Sequence, residues 1–98
     1  MSSSKTKYDI IFKNGRVERD WYALEQEFPE RVVDCKNFLQ NNPEDRNKAV
    51  GILKKLRGKY EGTLQYDITK NDARVWYTVD RKEKTITIKY AGHHPDKY

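Results

Sequence analysis

The stretch Gly62–Tyr98, GTLQYDITKNDARVWYTVDRKEKTITIKYAGHHPDKY, decides the fold of this chain. Apolar residues recur at every second position in three of its segments, which are Leu64/Tyr66/Ile68, Val75/Tyr77/Val79 and Ile86/Ile88/Tyr90. A period of two is typical of β-strands. Polar breaks at residues 71–72 and 80–84 separate the segments, so the stretch predicts three antiparallel strands joined by short turns.

One face of this predicted sheet is polar. It carries the side chains that alternate with the apolar ones, namely Gln65, Asp67, Arg74, Trp76, Thr78, Thr87 and Lys89. As a group these side chains are too polar to be buried, so we expect them to contact solvent or a ligand. The polar face is therefore the predicted functional surface.

The residues before this stretch begin with a predicted strand. Tyr8–Lys13 contains three consecutive apolar residues and is followed by Asn14-Gly15, a typical turn sequence. The uninterrupted apolar run indicates a short strand that is largely buried.

Two helices are predicted next, because the apolar period changes from two to between three and four. The apolar positions on either side of Pro29 are Val17, Trp21, Leu24 and Phe28, and then Val32, Cys35, Phe38 and Leu39. This spacing predicts two amphipathic helices that form a hairpin and pack on the sheet. For Pro43–Arg57 the sequence leaves a short helix and an ordered loop open, because Gly51 weakens a helical pattern there.

The chain is short and basic. Its 98 residues suffice for one core, and we expect a single α+β domain over residues 8–98 after a flexible lead of residues 1–7. The formal charge is +5, and the whole excess lies in residues 54–98, which hold eleven Lys or Arg against six Asp or Glu. A basic surface beside a polar sheet suits a phosphate-rich partner.

The cysteine content and the first residues indicate a cytoplasmic protein. Cys35 is the only cysteine, so neither an internal disulfide nor a thiolate metal cluster can form. The lead lacks the apolar core of a signal peptide, and no apolar run approaches membrane-spanning length. Glycine-rich nucleotide-binding loops are absent and His93-His94 lacks the spacing of zinc ligands. We therefore expect no cofactor, no metal and no membrane partner.

Metal-free cleavage of an RNA phosphodiester needs a base for the 2′-hydroxyl proton, an acid for the leaving 5′-oxygen, and positive charge near the phosphate. Arg74 begins the middle strand on the polar face, and its guanidinium matches phosphate oxygens in shape and charge. His93 and His94 are candidates for the acid or the base, since histidine titrates near neutral pH; we prefer His94. Tyr98 can stack on a base or donate a hydrogen bond to the phosphate.

Further candidates for RNA binding surround the polar face. Four basic residues precede the second predicted strand of the sheet, namely Lys54, Lys55, Arg57 and Lys59. They are either a solvated charge run or a rim that contacts phosphates, and their proximity to the polar face favours the rim. Lys89 adds a cation to that face. For Trp76 two interpretations stay open, stacking on RNA bases and packing beneath a loop or tail.

Taken in order, these segments resemble the RelE/ParE toxin superfamily. The resemblance covers Tyr8–Tyr98 and rests on the first strand, the helical hairpin, the Lys55–Gly58 sequence KLRG, the Ala73–Tyr77 strand sequence ARVWY and the tail Gly92–Tyr98, GHHPDKY. It implies a β-α-α-β-β-β fold with an antiparallel sheet packed against the hairpin. It also implies a cytoplasmic toxin, neutralised by a cognate antitoxin protein, that in RelE-like members cleaves mRNA at the ribosome.

The resemblance implies roles for individual residues as well. Arg74 falls on the strand arginine of the superfamily, His94 on a tail position that often holds Arg or His, and Tyr98 on the terminal tyrosine. Many RelE-like members carry Lys or Arg on the outward positions of the second strand, where this chain has Gln65 and Asp67. Asp67 is therefore a candidate carboxylate base or an orienting partner of His94.

Three functions stay open, and a ribosome-dependent endoribonuclease is the preferred one. A ParE-like gyrase inhibitor on the same fold needs no acid and base. A non-catalytic RNA-binding regulator is favoured by Gln65 and Asp67, which stand where basic residues are expected. Mapping of mRNA ends in translation assays separates the first function from the third, and gyrase supercoiling assays identify the second.

Overall fold

The computed structural model describes residues 7–45, 51–70 and 72–93. In chain order they form the strand β1 (Asp9–Phe12), the helices α1 (Gly15–Glu27) and α2 (Pro29–Asn41), the strand β2 (Leu53–Lys55), a 3₁₀ turn (Gly58–Tyr60), and the strands β3 (Leu64–Asp67), β4 (Arg74–Asp80) and β5 (Thr85–Gly92). The predicted α+β domain, with a helical hairpin against a sheet, is confirmed.

Each helix begins at a residue suited to its position. The Asn14 side chain accepts a hydrogen bond from the Val17 N–H over 2.9 Å and caps α1. Pro29 begins α2, where a residue without an N–H removes no helical hydrogen bond. Phe28 joins the helices directly, and its N–H donates to the Leu24 carbonyl. Neither helix of the described residues is long and apolar enough to cross a membrane.

The five strands form one sheet in the order β1-β5-β4-β3-β2. Neighbouring strands are antiparallel except β1 and β5, which run parallel. The antiparallel prediction is thus correct for the three strands of the carboxyl-terminal stretch, and β1 makes the whole sheet mixed. Both helices and three strands separate β1 from β5 in sequence, so no hairpin forces this pair to be antiparallel.

β2 lies in the segment for which a short helix and an ordered loop were both open. It is a three-residue strand in which Leu53 pairs with Tyr66 of β3, and the Leu53 side chain is buried. The described parts of the segment, residues 43–45 and 51–57, contain no helix. The segment is extended because pairing with β3 satisfies its backbone groups.

The core fills the space between the hairpin and the inner face of the sheet. The predicted apolar positions of both helices are buried except Phe28, which is half-buried, and they meet Leu64, Val75, Tyr77, Ile86 and Ile88 of the strands. Complete burial raises the pKa of the Cys35 thiol well above its usual value, so this cysteine is a packing residue and not a nucleophile.

A β-bulge in β5 changes which residues share a face. Trp76 pairs with Tyr90 but the next residue, Tyr77, pairs with Ile88, so Lys89 is an extra residue in β5. The prediction that Tyr90 lies on the inner face with Ile88 is therefore wrong. Tyr90 lies opposite Trp76 on the outer face, and the exposed Lys89 marks the bulge.

Candidate functional site

The outer face of the sheet, away from the helices, carries two rows of residues from neighbouring strands. Strand register defines them as Lys54, Gln65, Trp76 and Tyr90 in one row and Asp67, Arg74 and Gly92 in the other. Every predicted site residue of β3 and β4 is in one of these rows.

Four of these side chains form a polar chain across β2, β3 and β4. The Trp76 indole N–H donates to Oε1 of Gln65 over 2.9 Å, and Nε2 of Gln65 donates to Oδ1 of Asp67 over 2.8 Å. Nζ of Lys54 lies 3.2 Å from Oδ2 of Asp67. Residues that are not adjacent in sequence are thereby joined into one unit, which we call the polar chain.

The expectation that this face is too polar to be buried is wrong for its central residues. The exposed fractions are 4% for Gln65, 9% for Asp67, 9% for Arg74 and 7% for Trp76. Burial is tolerated because each polar group of Gln65 and the Trp76 N–H has a hydrogen-bond partner inside the chain.

An aromatic cluster covers this buried row. The Tyr60 ring, from the 3₁₀ turn, lies 5.0 Å from the Trp76 ring between centroids, and the Tyr90 ring lies 5.3 Å from it. Nζ of Lys59 lies 5.3 Å from the Tyr60 ring centroid. Of the two interpretations of Trp76, packing beneath a loop is therefore the correct one. The half-buried rings of Tyr60 and Tyr90 flank it.

Arg74 is held without a carboxylate partner among the described residues. Its Nε donates to the Asp72 carbonyl over 3.2 Å, and no described Asp or Glu forms an ion pair with its guanidinium. A neutral carbonyl orients the group and leaves its positive charge in place. Gly92, where β5 ends, lies directly opposite Arg74.

His93 bridges two carboxylates. Its Nδ1 lies 2.5 Å from Oδ2 of Asp72, its Nε2 lies 2.8 Å from Oε1 of Glu27, and its ring packs against Phe28. The bond to Asp72, followed by the bond to Glu27, raises the pKa of His93 above its usual value. Both ring nitrogens are engaged and the cation is favoured, so this side chain ties the tail to α1 and is poorly placed to accept a proton.

The remaining predicted residues divide into two groups. His94 and Tyr98 lie outside the described residues. The others are all exposed, namely Lys54, Lys55, Arg57, Lys59 and Lys89. Lys54 pairs with Gln65 and lies on the outer face, whereas Lys55 pairs with Leu64 and lies on the opposite face, so the predicted rim is wrong for Lys55. Since Asp67 pairs with Lys54, one cation of the predicted rim is already partly neutralised.

A cavity of about 520 Å³ opens beside the polar chain, at the β2 edge of the sheet. Arg31 of α2, Lys54 and Lys70 line it together with Asp34 and Asp67. Its three cations exceed its two carboxylates, so an anionic group is favoured there.

Sequence reasoning missed Tyr60 and Tyr90. Tyr60 follows Lys59 in a short irregular segment, and aromatic residues next to basic ones are a signal of RNA binding that points to it. Alternation of apolar residues places Tyr90 on the inner face, because this pattern cannot show that a β-bulge inserts an extra residue into β5. Within the described residues no group of three or more His, Cys, Asp or Glu is arranged to hold a metal ion.

Among known proteins, this chain is similar to solved structures over most of its length. No protein-family model and no curated protein matches it. Solved structures do match: the YoeB dimer from Staphylococcus aureus is 26% identical, with 90% of this chain and 98% of that chain covered and a TM-score of 0.62.

Two further structures extend the likeness. The DinJ-YafQ toxin-antitoxin complex from E. coli is 19% identical, with 89% of this chain and 92% of that chain covered and a TM-score of 0.66. The archaeal RelE-RelB complex from Pyrococcus horikoshii is 24% identical, with 94% and 99% covered and a TM-score of 0.62. The likeness therefore extends over nearly the whole of each chain.

Proposed function

We propose that this chain, which has the fold of the RelE-like toxins, is the toxin of a toxin-antitoxin pair and cleaves mRNA at the ribosome without a metal ion. The position of Arg74 carries the proposal. It lies on the outer face, oriented by a backbone carbonyl, opposite Asp67 on one side and Gly92 on the other. His94 follows Gly92 by two residues in the sequence.

The proposed reaction is an internal displacement at phosphorus. A base removes the 2′-hydroxyl proton, the 2′-oxygen bonds to phosphorus, and the bond from phosphorus to the 5′-oxygen breaks. An acid protonates the departing 5′-oxygen, so a 2′,3′-cyclic phosphate and a 5′-hydroxyl end result. Negative charge on the phosphate oxygens rises during attack, and the Arg74 guanidinium stabilises it.

Proton transfer is assigned to His94 rather than His93. Both ring nitrogens of His93 are hydrogen-bonded to carboxylates, so either nitrogen would have to break its hydrogen bond before it could exchange a proton with RNA. Asp67 is a candidate base or orienting partner, although its two oxygens accept from Gln65 and Lys54. Tyr98 is proposed to contact the base or the phosphate at the cleavage site.

The proposed partners are an antitoxin, the ribosome and mRNA in the cytoplasm. Two structures that share the fold support this: DinJ-YafQ is a toxin-antitoxin complex, and RelE-RelB is a complex of two proteins. We expect an antitoxin for this chain to carry an acidic segment, because the exposed Lys54 and Lys59 lie on or beside the outer face.

The test is single-turnover cleavage of mRNA on programmed ribosomes, with ribosome binding measured in parallel. Arg74→Ala should lower the rate by about 10²–10³, as loss of one transition-state donor does, and His94→Ala by about 10²–10⁴, as loss of proton transfer does. Binding should change little in either variant.

Lys82→Ala provides a matched control, because it removes one exposed cation from the β4–β5 turn at the far end of β4 from Arg74. It should cleave like the wild type. Wild-type rates for both Arg74→Ala and His94→Ala at saturation would contradict the proposed site.

A second candidate, the non-catalytic RNA-binding regulator, is favoured by one observation. Asp67 neutralises Lys54 on the surface where an RNA-cleaving site benefits from positive charge. This candidate predicts salt-dependent RNA binding without new mRNA ends on the ribosome, whereas the preferred function predicts salt-dependent binding together with new mRNA ends.

A further inference from the structure

The aromatic cluster of Tyr60, Trp76 and Tyr90 is separate from the hydrophobic core. It lies on the outer face of the sheet, and none of its three members belongs to the core between the sheet and the hairpin. Three adjacent aromatic rings on the face opposite the core contribute little to holding the helices in place. Their position calls for another explanation.

The polar chain fixes the central ring of this cluster. Trp76 can rotate only by breaking its bond to Gln65, and Gln65 is in turn held by Asp67. Buried polar and charged groups of this kind rarely increase stability, because apolar side chains of similar volume do equally well or better. What the polar chain does provide is a defined orientation of the Trp76 indole, against which both tyrosine rings pack.

The two outer rings have access to solvent that Trp76 lacks. Tyr60 and Tyr90 are half-buried, whereas Trp76 is 7% exposed. Exposed cations lie close by, with Lys59 over the Tyr60 ring and Lys89 next to Tyr90 in sequence. Partly exposed aromatic side chains placed beside cations suit unpaired bases whose phosphates the cations attract.

We propose that Tyr60 and Tyr90 form a stacking site for unpaired bases of single-stranded RNA, and that Gln65 and Asp67 are positioning residues that set this site through Trp76. The choice of RNA as ligand rests on the proposed function. Stacking of this kind tolerates any base, so the site contributes affinity and placement of the strand, not sequence selection.

The test uses the free full-length chain and two probes of equal length, a short oligoadenylate and an abasic oligomer with the same backbone. Tyr60→Ala and Tyr90→Ala should each weaken oligoadenylate binding about five- to tenfold, within the range known for one base on one ring. Binding of the abasic oligomer should stay the same, because its phosphates still meet the lysines. Tyr60→Phe should bind like the wild type.

Tyr22→Ala is the matched control, since Tyr22 is a 50% exposed tyrosine on α1. It should bind both probes normally. Equal oligoadenylate binding by wild type, Tyr60→Ala and Tyr90→Ala would overturn the proposal. So would equal losses for the two probes, or tight binding of the antitoxin at these tyrosines with no oligoadenylate binding at all.

The positioning role has its own readout. Gln65→Leu should change the emission maximum and acrylamide quenching of Trp76, with the Trp21 signal defined by Trp76→Phe. It should lower the denaturation midpoint, because the buried Trp76 N–H and Asp67 lose a partner, and it should weaken oligoadenylate binding under conditions where circular dichroism shows the variant folded. The exchange Gln65→Glu with Asp67→Asn restores a donor and an acceptor between these positions and should return Trp76 emission towards the wild type. Unchanged emission in Gln65→Leu would refute the positioning role.

These measurements need no ribosome. If the wild type leaves mRNA intact on ribosomes but binds oligoadenylate through Tyr60 and Tyr90, the proposed function fails and the stacking site stands. If it cleaves mRNA and the tyrosine variants bind normally, the reverse holds.

Discussion

Replacing Asp67 by asparagine should strengthen RNA binding, because Asp67 competes with RNA phosphates for Lys54. The two side chains are 3.2 Å apart, with the lysine 58% exposed and the aspartate only 8% exposed. The lysine is therefore accessible to RNA while the carboxylate that holds it stays fixed beneath. The amide oxygen of the introduced asparagine can still accept the hydrogen bond from Gln65, so the change acts mainly on the charge.

The magnitude follows from releasing one cation. A partly exposed ion pair of this kind contributes up to about 1 kcal/mol, so freeing Lys54 should raise affinity for single-stranded RNA about two- to fivefold at low salt. One added phosphate contact should also make the plot of log K against log salt concentration steeper by about 0.7. Fluorescence anisotropy with a labelled oligonucleotide over a salt series measures both quantities.

The double variant Asp67→Asn with Lys54→Ala isolates the cause. It should lose the steeper salt dependence and match Lys54→Ala alone, because the released cation is gone. A salt slope in Asp67→Asn equal to that of the wild type would refute the competition. If Asp67 is also the base, the same variant should bind RNA more tightly and cleave it more slowly.

Three further predictions concern stability and are all measured by urea denaturation. Tyr77→Phe should cost about 1–3 kcal/mol, because the buried Tyr77 hydroxyl donates to the Pro43 carbonyl over 2.5 Å and its loss leaves that acceptor unpaired; an unchanged midpoint would show that water replaces it. Trp21→Ala, at a side chain 3% exposed, should cost about 3–5 kcal/mol, and Tyr22→Ala should show how little an exposed neighbour costs. The bonds to Asp72 and Glu27 raise the pKa of His93, so this bridge stabilises the fold fully below about pH 6.5, the unfolded value, and less as the pH rises through the folded pKa. In His93→Gln the free energy of unfolding should no longer fall over this pH range. The same pH profile in the variant and the wild type would contradict this prediction.

Periodicity was sufficient to predict the helices and the last three strands, because each buries a stripe that its own sequence displays. Trp21 and Leu24 of α1, and Val75 and Tyr77 of β4, occupy the core as their spacing indicates. β2 could not be predicted in this way. Its three residues LKK show no pattern, and it is a strand only because Leu53 pairs with Tyr66, thirteen positions later in the chain.

The candidate site was harder to predict than the fold, since its contacts join residues distant in sequence. The alternation correctly grouped Gln65, Asp67, Arg74 and Trp76 on one face, but polarity alone wrongly indicated that they are exposed. Satisfying polar groups inside the sheet requires the strand register that sets Gln65 opposite Trp76. No single-sequence pattern contains that register.

Lys54 and Arg74, the two cations beside Asp67, differ in whether a phosphate must displace a carboxylate in order to bind them. Lys54 is already paired with Asp67, so an approaching phosphate exchanges one anion for another and gains only the difference. Arg74 is oriented by a neutral carbonyl, and no carboxylate of the described residues pairs with it, so a phosphate displaces none of these to reach it. Charge that is fixed in advance and not neutralised is what stabilises a developing anion most. If the chain cleaves mRNA as proposed, we therefore expect Arg74→Ala to lower the cleavage rate and Lys54→Ala mainly to weaken association.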